Sequence, residues 1–288
     1  MPPDQTSFEE RTILAEDGLA LYARDYRPTL TDKSALLCLP GMTRNAKDFA
    51  QFAATAGAGR RVICPDYRGR GRSAYDPDWR HYEPAVHVGD LLQMLTALDL
   101  HRVIVVGTSL GGFLAMGLAI ARPTVIAGVV LNDIGPEVGG AGLGRIFDYV
   151  GRDRPQPDWA AARAEMQRVF AYLELGDAAN WDRMARATYR EGTDGRLHFD
   201  WDVRLVRPMK RALRRGEDLW HYFRALRPFP TLALRGEMSA VLSDDTLTLM
   251  RAAHPMLETA VVPRVGHTPN LGEPEAIAAL GSFFDRLP

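Results

Sequence analysis

One sequence feature limits the possible folds of this chain more than any other. It is a β-branched run that leads directly into a serine flanked by glycines and then into an apolar helical segment. Residues 103–106 are four consecutive β-branched residues, which is typical of a strand buried on both faces. The next five residues, Gly107-Thr108-Ser109-Leu110-Gly111, fit the pattern G-x-S-x-G. Small residues at both ends let a strand turn sharply into a helix and lift the serine hydroxyl to the tip of the turn. We therefore predict that Ser109 is a nucleophile, because a strand before the pattern and a helix after it favour this over a chance match.

Composition excludes several other classes of protein. The chain has 288 residues, 46% of them hydrophobic and 25% charged, with a net charge of -1, as in an ordinary globular protein with a large core. No basic excess indicates nucleic acid, no apolar stretch is long enough to span a membrane, and no secretory signal is evident at the start. Cys38 and Cys64 lie in apolar runs, so we expect buried, reduced thiols and a cytoplasmic location. A small molecule is the expected partner, and a homo-oligomer is left open.

Short apolar runs alternate with helical patterns along most of the chain. The first, over residues 11–26, alternates around Asp17-Gly18 and predicts an antiparallel hairpin. Further strands are predicted at residues 35–39, 62–65, 103–106, 128–132, 231–235 and 259–263, and helices at 46–56, 84–98 and 274–284. Such alternation implies right-handed crossovers. The sequence therefore predicts an α/β fold with a mostly parallel central sheet and helices on both faces.

One region breaks this alternation. Between Gly135 and Arg227 no buried strand is evident, only amphipathic helical pieces over 158–175, 181–188 and 202–214, and a turn at 192–195. An insertion after one strand of a parallel sheet lies over the strands' carboxyl ends, where open α/β sheets bind ligands. We therefore predict a core formed by 1–135 and 227–288 and a helical cap formed by 136–226.

Five segments together resemble the α/β-hydrolase fold family with a helical cap. They are Pro40-Gly41-Met42-Thr43-Arg44-Asn45, Asp66-Tyr67-Arg68-Gly69-Arg70-Gly71-Arg72-Ser73, Gly107-Thr108-Ser109-Leu110-Gly111-Gly112, Leu131-Asn132-Asp133-Ile134-Gly135-Pro136 and Gly266-His267-Thr268. Their order and spacing are specific for the fold and much less so for the substrate. The resemblance covers nearly the whole chain and implies a serine nucleophile, a histidine base, an orienting acid and a backbone oxyanion hole.

A serine hydroxyl needs a base at neutral pH, and His267 is the strongest candidate among seven histidines. It lies just past a strand, in Val265-Gly266-His267-Thr268-Pro269, where glycine and proline favour a loop that can reach Ser109. It also resembles the family's base in its order along the chain. The other six histidines are expected to be exposed or merely hydrogen-bonded. We predict that His267 is the general base and then the general acid.

The acid departs from the family's pattern. The orienting carboxylate of relatives usually ends a pattern resembling Arg-Gly-x-x-Ser-Asp after the strand that follows the cap, and here that position is Ala240. Some relatives place the acid after the preceding strand, at the position of Asp133, which ends a β-branched run and is therefore aimed at the catalytic rim. Asp133 is our first choice, although capping at the cap entrance is an alternative role for it. Three further candidates are Glu237, Asp244 and Asp245.

The resemblance implies that the oxyanion hole is formed by the backbone N–H groups of Met42 and Leu110. No cofactor or metal is predicted. The stretch Gly69-Arg70-Gly71-Arg72-Ser73-Ala74 mimics a dinucleotide-binding fingerprint, but its arginines crowd the turn and it resembles the family's own loop. His81 and His87 are expected to lack a carboxylate or cysteine partner at a spacing that suits a metal site.

These observations predict a hydrolase of esterase or lactonase type that acts on a small, largely apolar carboxylic ester or related acyl compound through an acyl-enzyme. A serine nucleophile argues against the haloalkane dehalogenases and epoxide hydrolases of this fold, which the resemblance associates with an aspartate. Two alternatives stay open. One is C–C bond hydrolysis of ring-fission products, and the other is a catalytically weak ligand-binding protein, suggested by Ala240.

Overall fold

The computed structural model describes residues 7–27, 31–138, 147–170, 177–215 and 218–288, and its main feature is an eight-stranded sheet. The strands are β1 (Glu9–Leu14), β2 (Ala20–Tyr26), β3 (Ala35–Leu39), β4 (Val62–Asp66), β5 (Val103–Thr108), β6 (Ile126–Asn132), β9 (Thr231–Gly236) and β10 (Leu257–Val262). Their order across the sheet is β1-β2-β4-β3-β5-β6-β9-β10. The first two form the predicted antiparallel hairpin, β2 pairs antiparallel with β4, and the remaining pairs are parallel. The predicted fold class is confirmed.

The described helices are α1 (Ala50–Ala54), α2 (Pro84–Ala97), α3 (Leu110–Ala121), α4 (Trp159–Val169), α5 (Ala178–Thr188), α6 (Val206–Arg215), α7 (Trp220–Arg224), α8 (Asp244–Ala253) and α9 (Pro274–Phe284). Both faces of the sheet are covered, one by α2, α3 and α8 and the other by α1 and α9, whereas α4 to α6 pack in a separate cluster. The segment predicted as one helix over 46–56 is a 3₁₀ turn, Ala46–Phe49, followed by the short α1. Asn45 caps this turn by accepting a hydrogen bond from the N–H of Lys47.

The β-branched run of β5 divides its side chains between two cores. Val103 and Val105 pack in a cluster with residues of α2 and α3, whereas Ile104 and Val106 pack in a second cluster with residues of α1 and α9. Successive side chains of a strand point to opposite faces, so a strand covered on both sides is apolar throughout. This packing holds β5, and therefore the turn that follows it, at the centre of the molecule.

The segment between β6 and β9 holds helices α4 to α7 and a small hairpin, β7 (Tyr189–Glu191) paired with β8 (Leu197–Phe199). The expectation that this region lacks strands is therefore wrong. Each strand has only three residues, too few for an alternating pattern, although the turn at 192–195 was predicted. Aromatic rings pack around the hairpin, and those of Phe199 and Trp201 stack with centroids 4.1 Å apart. The limits of the cap stay a prediction. Phe223 lies inside the predicted range of the cap, but its side chain packs in the cluster that contains Val103 and Val105 of β5.

Cys38 and Cys64 are buried and form no disulfide, as expected from their apolar surroundings. They lie on the neighbouring strands β3 and β4, and burial raises the pKa of the Cys38 thiol. Within the described ranges no helix has the length and apolar character required to cross a bilayer.

Candidate active site

Ser109 lies in the turn between β5 and α3, in a backbone conformation that residues with side chains rarely adopt. Its φ is 51° and its ψ is -113°. The flanking glycines make this turn possible. A Cβ on Gly107 would lie 2.4 Å from the carbonyl oxygen of Gly111, and one on Gly111 would lie 2.1 Å from that of Leu39. Both glycines are therefore required by close backbone packing, and they hold the strained serine at the carboxyl edge of the sheet.

His267 lies in the loop after β10, and the structure brings it to Ser109 as predicted. Its Nε2 is 3.0 Å from Oγ of Ser109. The imidazole is 20% exposed, so it is partly sheltered and still open to solvent on one side. This distance is within the range needed for proton transfer from the hydroxyl to the ring.

Asp133 directly follows β6, and its φ of 57° lies in the left-handed region. Its Oδ2 is 2.7 Å from Nδ1 of His267, and the residue is fully buried. Within the described part of the chain, no other carboxylate hydrogen-bonds to His267. The structure thus places our first-choice acid, and not one of its alternatives, beside the imidazole.

The alternative acids are engaged elsewhere. Oε2 of Glu237 accepts a hydrogen bond from the N–H of Arg264 at 2.8 Å. Asp244 is exposed and lies 3.2 Å from Nη1 of Arg235, while Asp245 is exposed in the first turn of α8. Negative charges in the first turn of a helix interact favourably with its dipole, which gives both aspartates a structural role.

Two groups that sequence reasoning missed support the Asp133 carboxylate. The hydroxyl of Ser239 donates to Oδ2 at 2.6 Å, and the N–H of Gly236 donates to Oδ1 at 2.9 Å. Ser239 belongs to the segment that lacks the usual acid, and its serine was the one available signal. Both carboxylate oxygens are therefore hydrogen-bonded, which offsets the cost of burying a charge.

Asn132 links the serine turn to the histidine loop. Its side-chain Nδ2 donates to Oγ1 of Thr108 at 3.1 Å and to the carbonyl oxygen of Pro269 at 2.9 Å, and its carbonyl oxygen accepts the N–H of Ser109 at 3.1 Å. The residue is fully buried. These bonds fix the separation of the two loops that carry Ser109 and His267.

The two predicted oxyanion donors belong to two different segments, the helix that begins after Ser109 and the loop after β3. Leu110 is the first residue of α3, and the first N–H groups of a helix have no acceptor within it. Met42 lies in the loop after β3, next to Gly41, where a Cβ would be 4.0 Å from Cβ of Ser109. The loop thus approaches the serine closely, as a backbone donor to an oxygen bound at Ser109 would have to, and the oxyanion role of Met42 stays a prediction.

His81, contrary to expectation, has a carboxylate partner, because its Nδ1 is 2.9 Å from Oδ2 of Asp76. Asp17 completes a group of three side chains that could hold a metal ion. However, Nη1 of Arg68 already donates to Asp17 at 2.8 Å and to Asp76 at 2.7 Å. This guanidinium supplies the positive charge, so the expectation of no metal stays our prediction.

The glycine-rich loop at residues 69–74 packs against the protein itself. A Cβ on Gly69 would lie 2.6 Å from the ring of Tyr82. The N–H of Gly71 donates to the carbonyl oxygen of Asp200 at 2.9 Å, and the carbonyl oxygen of Gly69 accepts the N–H of Asp202 at 2.7 Å. The N–H of Gly71, the kind of group that would bind a phosphate in a dinucleotide site, is thus bonded to the segment after β8, which supports the prediction of no dinucleotide here.

Comparison with known proteins shows the family to which the chain is similar. Residues 36–280 match the model of the alpha/beta hydrolase family. A 3-hydroxybutyrate-oligomer hydrolase from Cupriavidus necator is 32% identical over 259 residues, which are 86% of this chain and 87% of that protein. The crystal structure of an alpha/beta hydrolase from Novosphingobium aromaticivorans superposes with a TM-score of 0.90 at 40% identity, covering 98% of this chain and 99% of that one.

A further solved structure is similar in fold alone. E-2-(acetamidomethylene)succinate hydrolase superposes with a TM-score of 0.84 at 24% identity, covering 97% of this chain and 100% of that one. These similarities extend over nearly the whole chain, including the segment predicted to be the cap.

Proposed function

This chain belongs to the alpha/beta hydrolase family and is a hydrolase, and we propose that it is a serine hydrolase that cleaves a small, largely apolar carboxylic ester or lactone. One observation carries the proposal. The hydroxyl of Ser109 lies 3.0 Å from Nε2 of His267, whose Nδ1 lies 2.7 Å from the buried carboxylate of Asp133. This is the geometry of a nucleophile, its base and the acid that orients the base.

The reaction proceeds through an acyl-enzyme. Oγ of Ser109 forms a bond to the carbonyl carbon of the ester while its proton passes to Nε2 of His267. The oxygen of the tetrahedral intermediate takes the negative charge and accepts hydrogen bonds from the N–H groups of Met42 and Leu110, each worth about 3 kcal/mol. His267 then gives its proton to the leaving alkoxide as the carbon–oxygen bond breaks.

Water completes the cycle. His267 removes a proton from a water molecule, whose oxygen attacks the acyl carbon. Collapse of the second intermediate returns the proton to Oγ of Ser109 and releases the carboxylic acid. The Asp133 carboxylate holds the ring with its proton on Nδ1 and stabilises the imidazolium when it forms.

Two observations support this chemical class of substrate. Aromatic side chains of the segment between β6 and β9, among them Tyr149, Phe199 and Trp201, form a cluster against which Met42 packs. Apolar side chains thus reach the loop of one proposed oxyanion donor, which supports an apolar acyl compound. The relative from Cupriavidus necator is named for its action on 3-hydroxybutyrate oligomers. Units of a hydroxy acid are joined by ester bonds, which supports an ester as the substrate here.

The proposal is tested by labelling the purified protein with a serine-directed fluorophosphonate. The wild type is expected to be labelled rapidly and at Ser109 alone, as peptide mass mapping would show. Ser109→Ala is expected to lose labelling and at least about 10⁴-fold in kcat on any ester that the wild type accepts. Ser282→Ala, at an exposed position of α9, is the matched control and should behave as the wild type. Unchanged turnover in Ser109→Ala would disprove the proposal.

Two alternative functions can be distinguished with the same purified protein. The ligand-binding alternative was suggested by Ala240, but Asp133 now occupies the position of the missing acid beside His267. Slow or absent labelling of Ser109 would favour the ligand-binding alternative. C–C bond hydrolysis would appear as turnover of a vinylogous diketone acid without turnover of short-chain esters or lactones in a common substrate panel.

A further inference from the structure

Arg70 is a buried cation that contacts the loop carrying one proposed oxyanion donor. Its Nε donates to the carbonyl oxygen of Met42 at 2.5 Å, and its Nη1 donates to that of Arg68 at 2.9 Å. Nη1 also lies 3.3 Å from Nε2 of His87. The residue is only 1% exposed. Unlike the neighbouring Arg68, which binds Asp76 and Asp90, it forms no ion pair with a carboxylate of the described residues.

A guanidinium in this position is costly to bury. Desolvation lowers the pKa of Arg70 to about 10, so the side chain remains charged at neutral pH. The ring of Tyr67, whose centroid lies 5.2 Å from the guanidinium carbon, offsets part of that cost. Methionine or leucine would fill an apolar interior without this penalty, so the arginine needs an explanation other than packing.

Three successive carbonyl groups of the loop after β3 are held by hydrogen bonds. The hydroxyl of Tyr67 donates to the carbonyl oxygen of Pro40 at 3.1 Å. The N–H of Arg44 donates to that of Gly41 at 3.0 Å, and Arg70 holds that of Met42. In a trans peptide the C=O and N–H groups point in opposite directions. The Met42 N–H belongs to the same peptide as the Gly41 carbonyl and points opposite to it, whereas the Met42 carbonyl belongs to the next peptide. Holding both carbonyls therefore fixes the peptides on either side of the Met42 Cα, and with them the direction of the Met42 N–H.

We propose that Arg70 is a positioning residue for the oxyanion hole. The bond from its Nε to the Met42 carbonyl oxygen fixes the peptide that follows Met42, and so helps to hold Met42 and the preceding peptide, which carries the Met42 N–H, in place. This inference rests on the proposed function, in which the N–H of Met42 receives the negative oxygen of the tetrahedral intermediate. The bond matters little for substrate binding and more for the transition state, because the charge on that oxygen develops only as Ser109 attacks.

Arg60 provides a matched control. It is also a buried arginine, 5% exposed, and donates only to backbone carbonyls among the described residues, those of Ser34, Phe284, Leu287 and Pro288. These groups belong to the start of β3 and the end of the chain and not to the loop that carries Met42. Arg60→Met therefore removes a comparable set of hydrogen bonds without touching the proposed oxyanion site.

The experiment compares kcat, KM and inhibition by a trifluoromethyl ketone, which adds to the serine and places a negative oxygen in the oxyanion hole. Arg70→Met is expected to lower kcat and ketone affinity together by about 10- to 100-fold, with KM within about twofold of the wild type. Arg60→Met is expected to lower the melting temperature while kcat and ketone affinity stay at wild-type values. Equal losses of kcat and ketone affinity in the two variants would overturn the proposal.

Arg70→Lys is a second variant that tests the proposal if Arg70→Met does not fold. It keeps the charge and most of the side-chain length but lacks the Nε–H, so we expect an intermediate loss, about tenfold, in both kcat and ketone affinity. Wild-type values in Arg70→Lys would overturn the proposal. If the ketone does not inhibit the wild type and Ser109→Ala stays active, the proposed function itself is wrong. If the ketone inhibits the wild type and Arg70→Lys equally, the function stands and only the role of Arg70 fails.

Discussion

The carboxylate of Asp133 lies 2.7 Å from Nδ1 of His267, although the two residues are 134 positions apart in the chain. The contact arises because β6 and β10 both end at the same edge of the parallel sheet, on either side of β9. The proposed acid therefore lies at the end of β6, and the end of β9 and the segment after it supply the Gly236 N–H and the Ser239 hydroxyl that hold it. The imidazole therefore has a carboxylate partner, Asp133, although residue 240 is an alanine.

This contact predicts that Asp133→Asn lowers kcat by about 10⁴-fold, because an amide in that position favours the wrong tautomer of the imidazole. Steady-state kinetics on the best ester substrate would measure the loss, and thermal melting would show that the variant is folded. Asp244→Asn is the control, since Asp244 is exposed and paired with Arg235; its kcat should stay within about twofold of the wild type. Equal activities of the two variants would contradict the assignment of Asp133.

Ser239→Ala is expected to lower kcat by about tenfold with little change in KM. The variant removes the 2.6 Å hydrogen bond to Oδ2 of Asp133, so the carboxylate is less firmly placed, while the Gly236 N–H still holds the other oxygen. Ser239→Thr keeps a hydroxyl and should recover most of the activity. A purely structural role would instead lower the melting temperature and leave kcat unchanged.

The sequence predicted the parts of the site that local patterns specify. Ser109 follows from a strand, two glycines and a helix, and His267 from a loop after the last strand. Asp133 followed from its place at the end of a buried strand. Ser239 was missed because its role depends on a contact with Asp133, 106 positions away, that no local pattern encodes.

Two elements of the fold, the hairpin of β7 and β8 and helix α8, were not predicted from the sequence. The hairpin of β7 and β8 has strands of three residues, shorter than any detectable alternation. Helix α8 was not predicted, although Ser243 caps it with a hydrogen bond to the N–H of Thr246. Asp244 and Asp245 were considered only as candidate acids, whereas an acidic first turn after a serine cap is itself a sign of a helix start.

Gly111→Ala is expected to destabilise the protein strongly, by several kcal/mol, because its Cβ would lie 2.1 Å from the backbone carbonyl oxygen of Leu39. Gly281 in α9 is the matched control, since nothing lies within 4 Å of a Cβ there. Gly281→Ala should stabilise the protein by about 0.5–1 kcal/mol through helix propensity. Urea unfolding would measure both changes, and a Gly111→Ala variant as stable as the wild type would contradict the close approach of α3 to β3.

Asp66 predicts a pH dependence of stability. The carboxylate is buried, with its two oxygens accepting the N–H groups of Ala46 at 2.7 Å and Arg72 at 2.8 Å. Burial is the main cause that raises its pKa from 3.8 to about 6, and the nearby Asp200 adds to this while Lys47 opposes it. The folded state therefore holds the Asp66 proton more tightly than the unfolded chain does. The resulting stabilisation is full below the unfolded-state pKa and is lost as the pH rises through about 6.

Between pH 5 and pH 7.5 this linkage removes about 1.4 kcal/mol of the free energy of unfolding, since one pKa unit corresponds to about that amount. Asp66→Asn has no such proton to lose. Urea unfolding at both pH values would give the free energy of unfolding of the wild type minus that of Asp66→Asn. This difference should therefore fall by about that amount between the two pH values, whatever the pH-independent cost of the substitution. Titration of the carboxylates that do not interact with Asp66 is common to both proteins and cancels in this difference. A difference that does not change with pH would show that Asp66 is ionised across the whole range in the folded state.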